Sequence, residues 1–396
     1  MPTVMFLGHS AAASGGEIAL LRLIPALQPA VHPVVVLGED GALVERLTAL
    51  GVDVRVMPLP GSTKDLRKDT LRNPLVALGR ITSVLRYAVQ LRRVIRELDV
   101  DLVHTNSLKA GFYGTLAARL AGVPSVWHVR DRIAPDYLPG AAVAATRLAT
   151  AVLPSRVISN SRATAGTLSP RLAALLGRRA ALSPAPIGDP IDTALVQRAS
   201  PRTGDGPLRI GMVGRFSPWK GQLVAIRAFA QAHLGDDARL VLIGAAMFGE
   251  QDYERQVHEE IDRLGLRDRV ELTGFVTDVF GVLSGLDVLV HASTIPEPFG
   301  QVVLEGLAAG VPVVATREGG PGEILTDHVD GLLHDAGDVD QLAAALRELQ
   351  ADPALRARLT QAGLARVLDF SPQSIGAQVL AVYAELISTT REVQTA

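Results

Sequence analysis

The sequence predicts an α/β protein of two doubly wound lobes with a cleft between them. In both halves, short apolar runs alternate with amphipathic stretches, which is typical of βαβ units around a parallel sheet. A proline-rich stretch separates the two series, with five prolines between residues 182 and 207. The length of 396 residues, of which 48% are hydrophobic and 20% charged, suits two globular domains with sizeable cores.

The first half provides the elements of one lobe, because its apolar residues recur either in short runs or at steps of three and four. The predicted strands are residues 3–7, 33–37, 54–57, 102–104 and 125–129. The predicted helices are residues 17–27, 43–50, 75–98 and 110–121. Between them, residues 61–73 form a predicted polar loop that ends at Asn73 and Pro74, a pair typical of an N-cap followed by proline at the first helical position.

The second half repeats this alternation after the proline-rich stretch. Its predicted strands are residues 209–213, 239–243, 270–273, 288–291 and 313–315. Its predicted helices are residues 223–233, 250–264, 302–309 and 339–349. We therefore expect one lobe over residues 1–185, a hinge over 186–207, a second lobe over 208–372, and a last helix over 373–396 that packs back on the first lobe. Ligands of such lobes bind outside the carboxyl ends of the strands.

The charge distribution and the composition favour some kinds of ligand and location for this protein and exclude others. The net charge is −2, but residues 1–200 hold 23 Lys/Arg against 14 Asp/Glu, and the remainder holds 16 against 27. A basic first half suits a phosphorylated ligand or an anionic membrane surface, and solvated helix faces are the alternative. Cysteine is absent, which excludes disulfides and thiolate metal sites and fits a cytoplasmic location. The N-terminus lacks the basic region of a signal peptide, and residues 141–153 are too short to span a membrane.

The segment from Glu297 to Glu305 carries the strongest chemical signal. It reads EPFGQVVLE and places two carboxylates with seven residues between them. The first is expected in a loop after a strand, and the second about one turn inside the following helix. A carboxylate can accept two hydrogen bonds from the vicinal hydroxyls of a sugar or a ribose. Residues 299–302 approach the helix N-terminus, whose free N–H groups suit a diphosphate.

A second signal is the segment VGRFSPWKG, residues 213–221, directly after a predicted strand and before a helix. Arg215 and Lys220 flank a tight turn. Arginine grips phosphate through its planar fork, and lysine supplies a compact charge. Together they can neutralise a departing nucleoside diphosphate, where other enzymes use a divalent metal. Surface cations without a role are the alternative.

Together these segments resemble the donor-binding lobe of retaining glycosyltransferases of family 4, which have the GT-B fold of two Rossmann-like lobes. The resemblance extends over nearly the whole chain. Ser14-Gly15-Gly16-Glu17 is similar to the glycine-rich turn after the family's first strand. Residues 274–276 are similar to the turn that borders the nucleobase, and residues 319–320 with 323–324 to a later Gly-Gly loop.

The resemblance implies a role for each matched residue. Arg215 and Lys220 bind the diphosphate, and Glu297 binds hydroxyls of the transferred sugar. His128, at the end of a strand of the first lobe, is expected near the donor sugar and the acceptor. These four are the expected catalytic residues; for His128 a core histidine remains the alternative.

The other expected site residues bind the donor or line the cleft. The expected donor-binding residues are Gly15, Gly16, Val276, Phe299, Gly300, Gln301, Val302 and Glu305, of which Glu305 holds the ribose. The expected acceptor or cleft residues are Glu17, Asn106, Arg130 and Asn160. For Asn160 a simple helix cap remains the alternative.

The resemblance implies a metal-independent enzyme that moves a hexose-type sugar from a nucleotide diphosphate donor with retention of configuration. A UDP-sugar is the first expectation and a GDP-sugar the second, and the acceptor is a glycan, a lipid-linked molecule or a small molecule. Residues 1–185 would bind the acceptor and residues 208–372 the donor, with no cofactor besides the nucleotide sugar. The alternatives are a GT-B relative with another coupling reaction and a non-catalytic sugar-nucleotide binding protein.

Metal and nucleic-acid sites are not expected. Two Asp-Val-Asp triplets, residues 99–101 and 338–340, are of a kind that can ligate metal in the other major transferase fold. Both lie at predicted helix ends and are interpreted as caps. No other carboxylate cluster or histidine spacing predicts a metal, and no Walker-type phosphate loop occurs.

Basic residues of the first lobe motivate one hypothesis about membranes. Five arginines lie on one face of the long helix, and four basic residues lie in the loop before it. They are Arg80, Arg86, Arg92, Arg93 and Arg96, with Lys64, Arg67, Lys68 and Arg72. Such a face can rest on the inner membrane surface and meet a lipid-linked acceptor. The sequence indicates no oligomeric state.

Overall fold

The computed structural model describes residues 1–12, 14–59, 74–175, 186–199, 206–247 and 249–395. It divides into two compact units. The first is Met1–Pro190 together with Pro372–Ala396, and the second is Ile191–Ser371. The division after Pro190 lies within the expected hinge. The predicted loop 61–73, with Asn73 and its four basic residues, lies outside the described residues.

The first unit contains a parallel six-stranded sheet in its described part, with the order β3-β2-β1-β4-β5-β6. The strands are β1 (Thr3–Gly8), β2 (His32–Leu37), β3 (Asp53–Val56), β4 (Leu102–Thr105), β5 (Ser125–Val129) and β6 (Arg156–Ser159). The residues of β1 from Val4 onward are buried, as expected for a strand covered on both faces. Pairing is in register from Thr3 with His32 to Gly8 with Leu37.

Helices alternate with these strands and cover the sheet. They are α1 (Gly15–Leu27), α2 (Ala42–Ala49), α3 (Pro74–Glu97), α4 (Leu108–Ala121), α5 (Gly140–Val152), α6 (Arg162–Gly166) and α7 (Pro170–Leu175). In helix α4 the local sequence determines where the helix begins and ends. Its N-cap Ser107 accepts a hydrogen bond from the Ala110 N–H, and Gly122 ends it in the left-handed conformation.

The second unit contains another parallel sheet of six described strands, with the order β12-β11-β10-β7-β8-β9. They are β7 (Arg209–Val213), β8 (Arg239–Ile243), β9 (Val270–Gly274), β10 (Val288–His291), β11 (Val313–Thr316) and β12 (Leu332–His334). The sheet order places β7 and β10 side by side, so that their carboxyl ends are neighbours. Both sheets are therefore doubly wound, as predicted.

The helices of the second unit lie between these strands and after them. They are α8 (Ala194–Gln197), α9 (Gln222–Ala232), α10 (Gln251–Arg263), α11 (Val279–Leu283), α12 (Gln301–Ala308), α13 (Pro321–Ile324), α14 (Val339–Ala351) and α15 (Pro353–Val367). The cap interpretation is confirmed for Asp338, whose carboxylate accepts from the Gln341 N–H at 2.9 Å. In the first triplet, Asp99 ends α3 in the left-handed conformation, with a φ of 46°, and the Val100 N–H donates back to the Ile95 carbonyl at 3.1 Å, as at a capped C-terminus. The interpretation is wrong only for Asp101, whose carboxylate accepts from the Thr3 N–H at 2.8 Å.

The last helix, α16 (Pro372–Thr395), belongs to the first unit. Its Gly376 faces α1 so closely that an added Cβ would lie 3.0 Å from the Ala26 Cβ. Glu385 pairs with Arg156 of β6 at 2.6 Å, and Tyr383 is buried. None of the helices in the described part of the chain is long and apolar enough to cross a membrane.

Candidate active site

Two loops of the second unit, after β7 and after β10, are tied together by backbone contacts. The loop after β7 passes through a short 3-10 turn, Pro218–Lys220, into Gly221, whose φ is 82°. A Cβ on Gly221 would lie 1.9 Å from the Ala292 carbonyl oxygen, so only glycine fits there. The Thr294 N–H donates to the Trp219 carbonyl at 2.8 Å. This packing fixes Lys220 beside the loop after β10.

Lys220 and Glu297 form a two-pronged ion pair at the point where these loops meet. Nζ lies 2.8 Å from each carboxylate oxygen, and both side chains are largely buried. The Ser293 hydroxyl donates to Glu297 Oε2 at 2.8 Å, and His291 Nε2 lies 3.4 Å from the same oxygen. Burial by itself raises the pKa of Glu297, but Lys220 and His291 outweigh it and hold the pKa below its ordinary value. Glu297 is therefore ionised at neutral pH.

The Gly-Gly loop that follows β11 anchors the backbone of Glu297. The Gly320 N–H donates to the Glu297 carbonyl at 2.9 Å. Gly319 has a φ of 92°, and a Cβ there would lie 2.3 Å from the same carbonyl oxygen. These two glycines are needed because the loops approach each other at backbone distance.

Arg215 and Lys220 share one aromatic neighbour. The Arg215 guanidinium carbon lies 5.6 Å, and Lys220 Nζ 4.2 Å, from the centre of a Trp219 ring. Arg215 Nη1 also lies 3.8 Å from Glu250 Oε2, while Glu250 Oε1 accepts from the buried Ser217 hydroxyl at 2.7 Å. The two predicted phosphate-binding cations therefore belong to one cluster with two carboxylates.

The expected donor-binding segment forms the start of α12. Gly300 precedes the helix with a φ of 95°, and Gln301 is its first residue. Backbone N–H groups of the first turn of a helix have no acceptor within the helix, so this end favours an anion. Glu305 lies about one turn further along, as predicted, and is half-buried.

Three other expected donor-binding residues share an apolar environment. Phe299 is buried in the hydrophobic cluster beneath α12, and Val276 and Val302 pack against the same cluster. Phe275, next to Val276, is 74% exposed. An exposed aromatic ring at this turn offers a flat surface of the kind on which a nucleobase can stack.

The expected residues of the first unit converge on Arg130, directly after β5. Arg130 Nη1 donates to the buried carboxylate of Asp189. Its Nε donates to Asn106 Oδ1 at 3.1 Å, and Asn106 Nδ2 donates to the Gly16 carbonyl at 2.8 Å. Burial lowers the pKa of Arg130 to about 10, against the opposing effect of Glu17 and Asp131, so it stays charged at neutral pH.

His128 lies in a buried histidine pair. Its Nδ1 is 3.2 Å from His104 Nε2 and 3.3 Å from Arg130 Nη2, and Tyr383 of α16 contacts His104 Nδ1 at 2.6 Å. Burial, with Arg130, lowers the pKa of His104 to about 3 and that of His128 well below its ordinary value. Both rings are therefore neutral at pH 7.

The remaining residues of this unit surround the start of α1. The Ser14 hydroxyl donates to Glu17, and burial raises the pKa of the Glu17 carboxyl. Gly15 is the first residue of the helix. Asn160, which follows β6, is buried; its Nδ2 donates to the Arg130 carbonyl at 3.4 Å, and its Oδ1 finds no partner among the described residues.

The structure thus brings Arg215, Lys220 and Glu297 together in the second unit. It brings Gly16, Asn106, Arg130 and His128 together in the first. The roles assigned to these residues stay predictions, as do the expected cleft and the alternative for His128. The cap alternative is wrong for Asn160, because the N-cap of α6 is Ser161, whose hydroxyl accepts from the Thr164 N–H at 2.9 Å. In the described part of the chain, no group of three or more His, Cys, Asp or Glu side chains is placed to hold a metal ion.

Sequence reasoning missed six polar partners of the site. They are His104, Asp189, Glu250, His291, Ser293 and Tyr383. Two of them had a usable signal, because His291 and Ser293 end or follow a predicted strand just before the EPFGQVVLE segment. Tyr383 had none, since it lies 279 positions from its partner His104.

Comparisons with known proteins agree with this architecture. Residues 196–366 match the family profile of glycosyl transferases group 1, and residues 14–187 match that of the glycosyl transferase 4-like domain. The lipopolysaccharide core biosynthesis glycosyltransferase LpsD of Rhizobium meliloti is 32% identical over 326 residues, which are 81% of this chain and 86% of that protein. A D-inositol 3-phosphate glycosyltransferase of Acidothermus cellulolyticus is 29% identical over 88% of this chain and 79% of its own length.

A solved structure extends the likeness to the whole fold. HepE of Anabaena, crystallised with UDP and glucose, superposes with a TM-score of 0.79 at 27% identity, covering 98% of this chain and all of that one. The two-lobed α/β architecture with two parallel six-stranded sheets in the described residues is therefore the GT-B fold. The chain belongs to the group 1, family 4-type glycosyltransferases, and it is a glycosyltransferase.

Proposed function

We propose that this glycosyltransferase moves a hexose from a nucleotide diphosphate donor with retention of configuration and without a metal ion. A UDP-sugar is the first candidate donor and a GDP-sugar the second. The observation that carries the proposal is the ion pair of Lys220 with Glu297, which lies beside Arg215 and Trp219 at the carboxyl ends of β7 and β10. The likeness to HepE, whose structures contain UDP, UDP-glucose or UDP with glucose, supports a UDP-sugar.

Arg215 and Lys220 would stabilise the leaving diphosphate. Negative charge grows on the bridging phosphate oxygen as the glycosidic bond breaks, and two fixed cations in a partly buried site stabilise that charge. The first N–H groups of α12, at Gln301 and Val302, add donors for the same group. Because these groups supply the positive charge that stabilises the leaving diphosphate, no metal ion is needed for that role.

Glu297 would bind hydroxyls of the transferred sugar rather than act as a nucleophile. Its two oxygens already accept from Lys220 and Ser293, and its low pKa makes it a weak nucleophile at neutral pH. The anomeric carbon develops oxocarbenium character, as in other glycosyl chemistry. We infer a front-face displacement in which the acceptor oxygen forms the new bond, the phosphate oxygen leaves, and the leaving phosphate takes the acceptor's proton.

The acceptor would be a saccharide or a cyclitol phosphate. The relatives are named for the lipopolysaccharide core and for D-inositol 3-phosphate. The buried Arg130, held by Asp189 and Asn106, supplies a fixed positive charge in the first unit. That charge is compatible with a phosphorylated acceptor.

The test is a donor and acceptor screen on the full chain, with nucleotide release and product NMR as readouts. We expect release of UDP from a UDP-hexose to rise at least several-fold when a suitable acceptor is present, and the new bond to keep the donor's anomeric configuration. Treatment with EDTA should change turnover by less than about twofold, since the site contains two cations of its own. An inverted product, or loss of turnover in EDTA that Mg²⁺ restores, would contradict the proposal.

Two control experiments distinguish the alternatives. Binding of UDP-sugar without any turnover across acceptors would indicate a non-catalytic binding protein. A labelled donor that yields a product without a glycosidic bond to the acceptor would indicate another coupling reaction. The matched variant for both is Arg358→Gln, which removes an exposed positive charge of the second unit and should leave binding and turnover unchanged.

We also propose peripheral contact of α3 with an anionic membrane. Leu85 and Val89 are 45% and 42% exposed on this helix, and the exposed Arg86 and Arg93 lie three residues before and four residues after Val89, which is helical spacing. Sedimentation with vesicles of phosphatidylglycerol at low salt should pull down the chain, and the double variant Arg86→Gln/Arg93→Gln should weaken this about thirtyfold, at roughly 1 kcal/mol per basic residue. Equal sedimentation with neutral vesicles would contradict an electrostatic contact.

A further inference from the structure

A series of hydrogen-bonded, buried side chains connects α16 with the end of β5 in the first unit. The Tyr383 hydroxyl lies 2.6 Å from His104 Nδ1, and His104 Nε2 lies 3.2 Å from His128 Nδ1. All three residues are at most 2% exposed. Arg130 Nη2 approaches the same His128 Nδ1 at 3.3 Å.

Arg130 determines which atoms donate and which accept in this series of hydrogen bonds. A guanidinium group has only donors, so His128 Nδ1 must be the acceptor and the proton of its neutral ring must lie on Nε2. His104 must then donate from its own Nε2, which leaves its Nδ1 to accept from the Tyr383 hydroxyl. The opposite direction would place N–H groups of His128 and Arg130 against each other.

The result is that the Nε2–H of a buried ring remains as a hydrogen-bond donor. His128 Nε2 is buried and has no hydrogen-bond partner among the residues that the structure describes. A buried N–H without an acceptor is unfavourable, so its presence beside Arg130 points to an acceptor oxygen that arrives with a ligand. Neutral rings are required for this arrangement, and burial lowers the pKa of both histidines.

We propose that His104, oriented by Tyr383, is a positioning residue that acts together with Arg130 to hold His128 as the Nε2–H tautomer, so that His128 presents one hydrogen-bond donor to an oxygen of bound sugar or acceptor. The identity of that oxygen rests on the function proposed above. The tautomer itself is a property of the ligand-free protein and is tested separately.

The first test is ¹⁵N NMR of the full chain with labelled histidine, near pH 7.5. His128→Gln and His104→Gln assign the two rings by loss of their signals among the nine histidines of the sequence. We expect both rings to carry the proton on Nε2. A proton on His128 Nδ1 in the unsubstituted protein would overturn the proposal, whatever the enzyme's activity.

The second test replaces His104, the middle residue of the hydrogen-bonded series Tyr383–His104–His128. In His104→Leu the donor to His128 Nδ1 is lost, whereas the amide of His104→Gln can still donate from a similar position. Arg130 remains as a donor to Nδ1 in both variants, so we expect a minor Nδ1–H fraction of His128 to become detectable in the leucine variant and to be absent in the glutamine variant. Identical His128 signals in the two variants would overturn the role of His104.

The third test covers the case in which His104→Leu does not fold. Tyr383→Phe removes only the hydroxyl, so the His104 Nδ1 resonance should move as its hydrogen bond is lost. Tyr87→Phe is the matched control, because it removes another buried hydroxyl of the same unit, bonded to the Met57 carbonyl at 2.8 Å. An unchanged His104 resonance in Tyr383→Phe would contradict the assignment.

Measurement of kcat then distinguishes the proposal about the His128 tautomer from the proposed function. We expect His104→Leu to lower kcat about tenfold, as for the loss of one hydrogen bond that orients a group, and His104→Gln to recover it to within about twofold. Absence of turnover in the unsubstituted protein would refute the proposed function but leave the NMR result standing. Equal kcat in the leucine and glutamine variants, with the tautomers as expected, would show that His128 does not contact the reacting molecules.

Discussion

Lys220 donates from Nζ to both carboxylate oxygens of Glu297 at 2.8 Å. Removal of either partner therefore leaves the other charge largely buried and deprived of its main counter-charge. We expect Lys220→Met to lower kcat about 10²-fold or more, by analogy with the loss of one donor to a developing oxyanion. Steady-state release of UDP from the donor, with the acceptor saturating, measures it.

Arg358→Met is the matched control for this substitution. It removes one positive charge of the same unit from an exposed position on α15 and should leave kcat within about twofold, as is usual for surface substitutions. Unchanged turnover in Lys220→Met would remove Lys220 from the catalytic residues. An equal loss in both variants would indicate an effect of net charge instead.

Trp219 should report the arrival of a diphosphate. Both Arg215 and Lys220 lie over its rings, and a bound diphosphate would draw their charges toward phosphate oxygens. We expect UDP to change tryptophan emission, and uridine to change it less at equal occupancy. The chain has two tryptophans, and the other, Trp127, is buried in the first unit. A UDP response that persists in Trp219→Phe would contradict this assignment.

Gly319 should be intolerant of a side chain for two separable reasons. Its φ of 92° strains any other residue, and a Cβ would lie 2.3 Å from the Glu297 carbonyl oxygen. Gly337 has a similar φ of 76° but no atom within 4 Å of its added Cβ. In urea unfolding we expect Gly337→Ala to lose about 1 kcal/mol through backbone strain, and Gly319→Ala about 2 kcal/mol more through overlap.

The same pair of variants tests whether this glycine supports the site. Gly319→Ala should also lower kcat, since the overlap displaces the backbone of Glu297. Gly337→Ala should keep the activity of the unsubstituted protein. Equal free energies of unfolding for the two variants would show that the Gly-Gly loop moves away without strain.

The sequence could predict the fold because most elements are encoded locally. Each predicted strand is present, with bounds that shift by one residue at most, since continuous apolar runs such as that of β1 are visible without tertiary information. Strand β12 was not predicted, because three residues are too few to show a pattern. Helix α15 was not predicted either, since its apolar residues mark no strong stripe.

Only those residues of the candidate site that lie in a motif or directly after a strand could be predicted from the sequence. Lys220 and Glu297 each follow a strand, but the sequence does not state that β7 and β10 are neighbours, and only that order brings the two residues together. The partners that tune these groups, such as Glu250 beside Arg215, depend on side-chain packing between distant segments. No local pattern encodes such contacts.

The buried histidines of the first unit make its stability depend on pH. Burial lowers the pKa of His9 to about 4 and that of His104 to about 3, from 6.5 when unfolded. Between those values the unfolded chain binds protons that the folded unit does not, so these groups destabilise the fold as the pH falls below 6.5. Each contributes a slope of about 1.4 kcal/mol per pH unit. Burial raises the pKa of the Glu17 carboxyl, which acts in the opposite sense.

Comparison of variants isolates the contribution of one histidine. His104→Gln lacks the titrating ring, so its deficit in melting temperature at pH 7.5 should shrink or reverse at pH 4.5. His32→Gln, which replaces an exposed histidine of the same unit, is the matched control. Emission of Trp127 in a Trp219→Phe background follows unfolding of the first unit alone, since Trp127 is its only tryptophan. A deficit of His104→Gln that is equal at both pH values would show that His104 titrates normally in the folded protein.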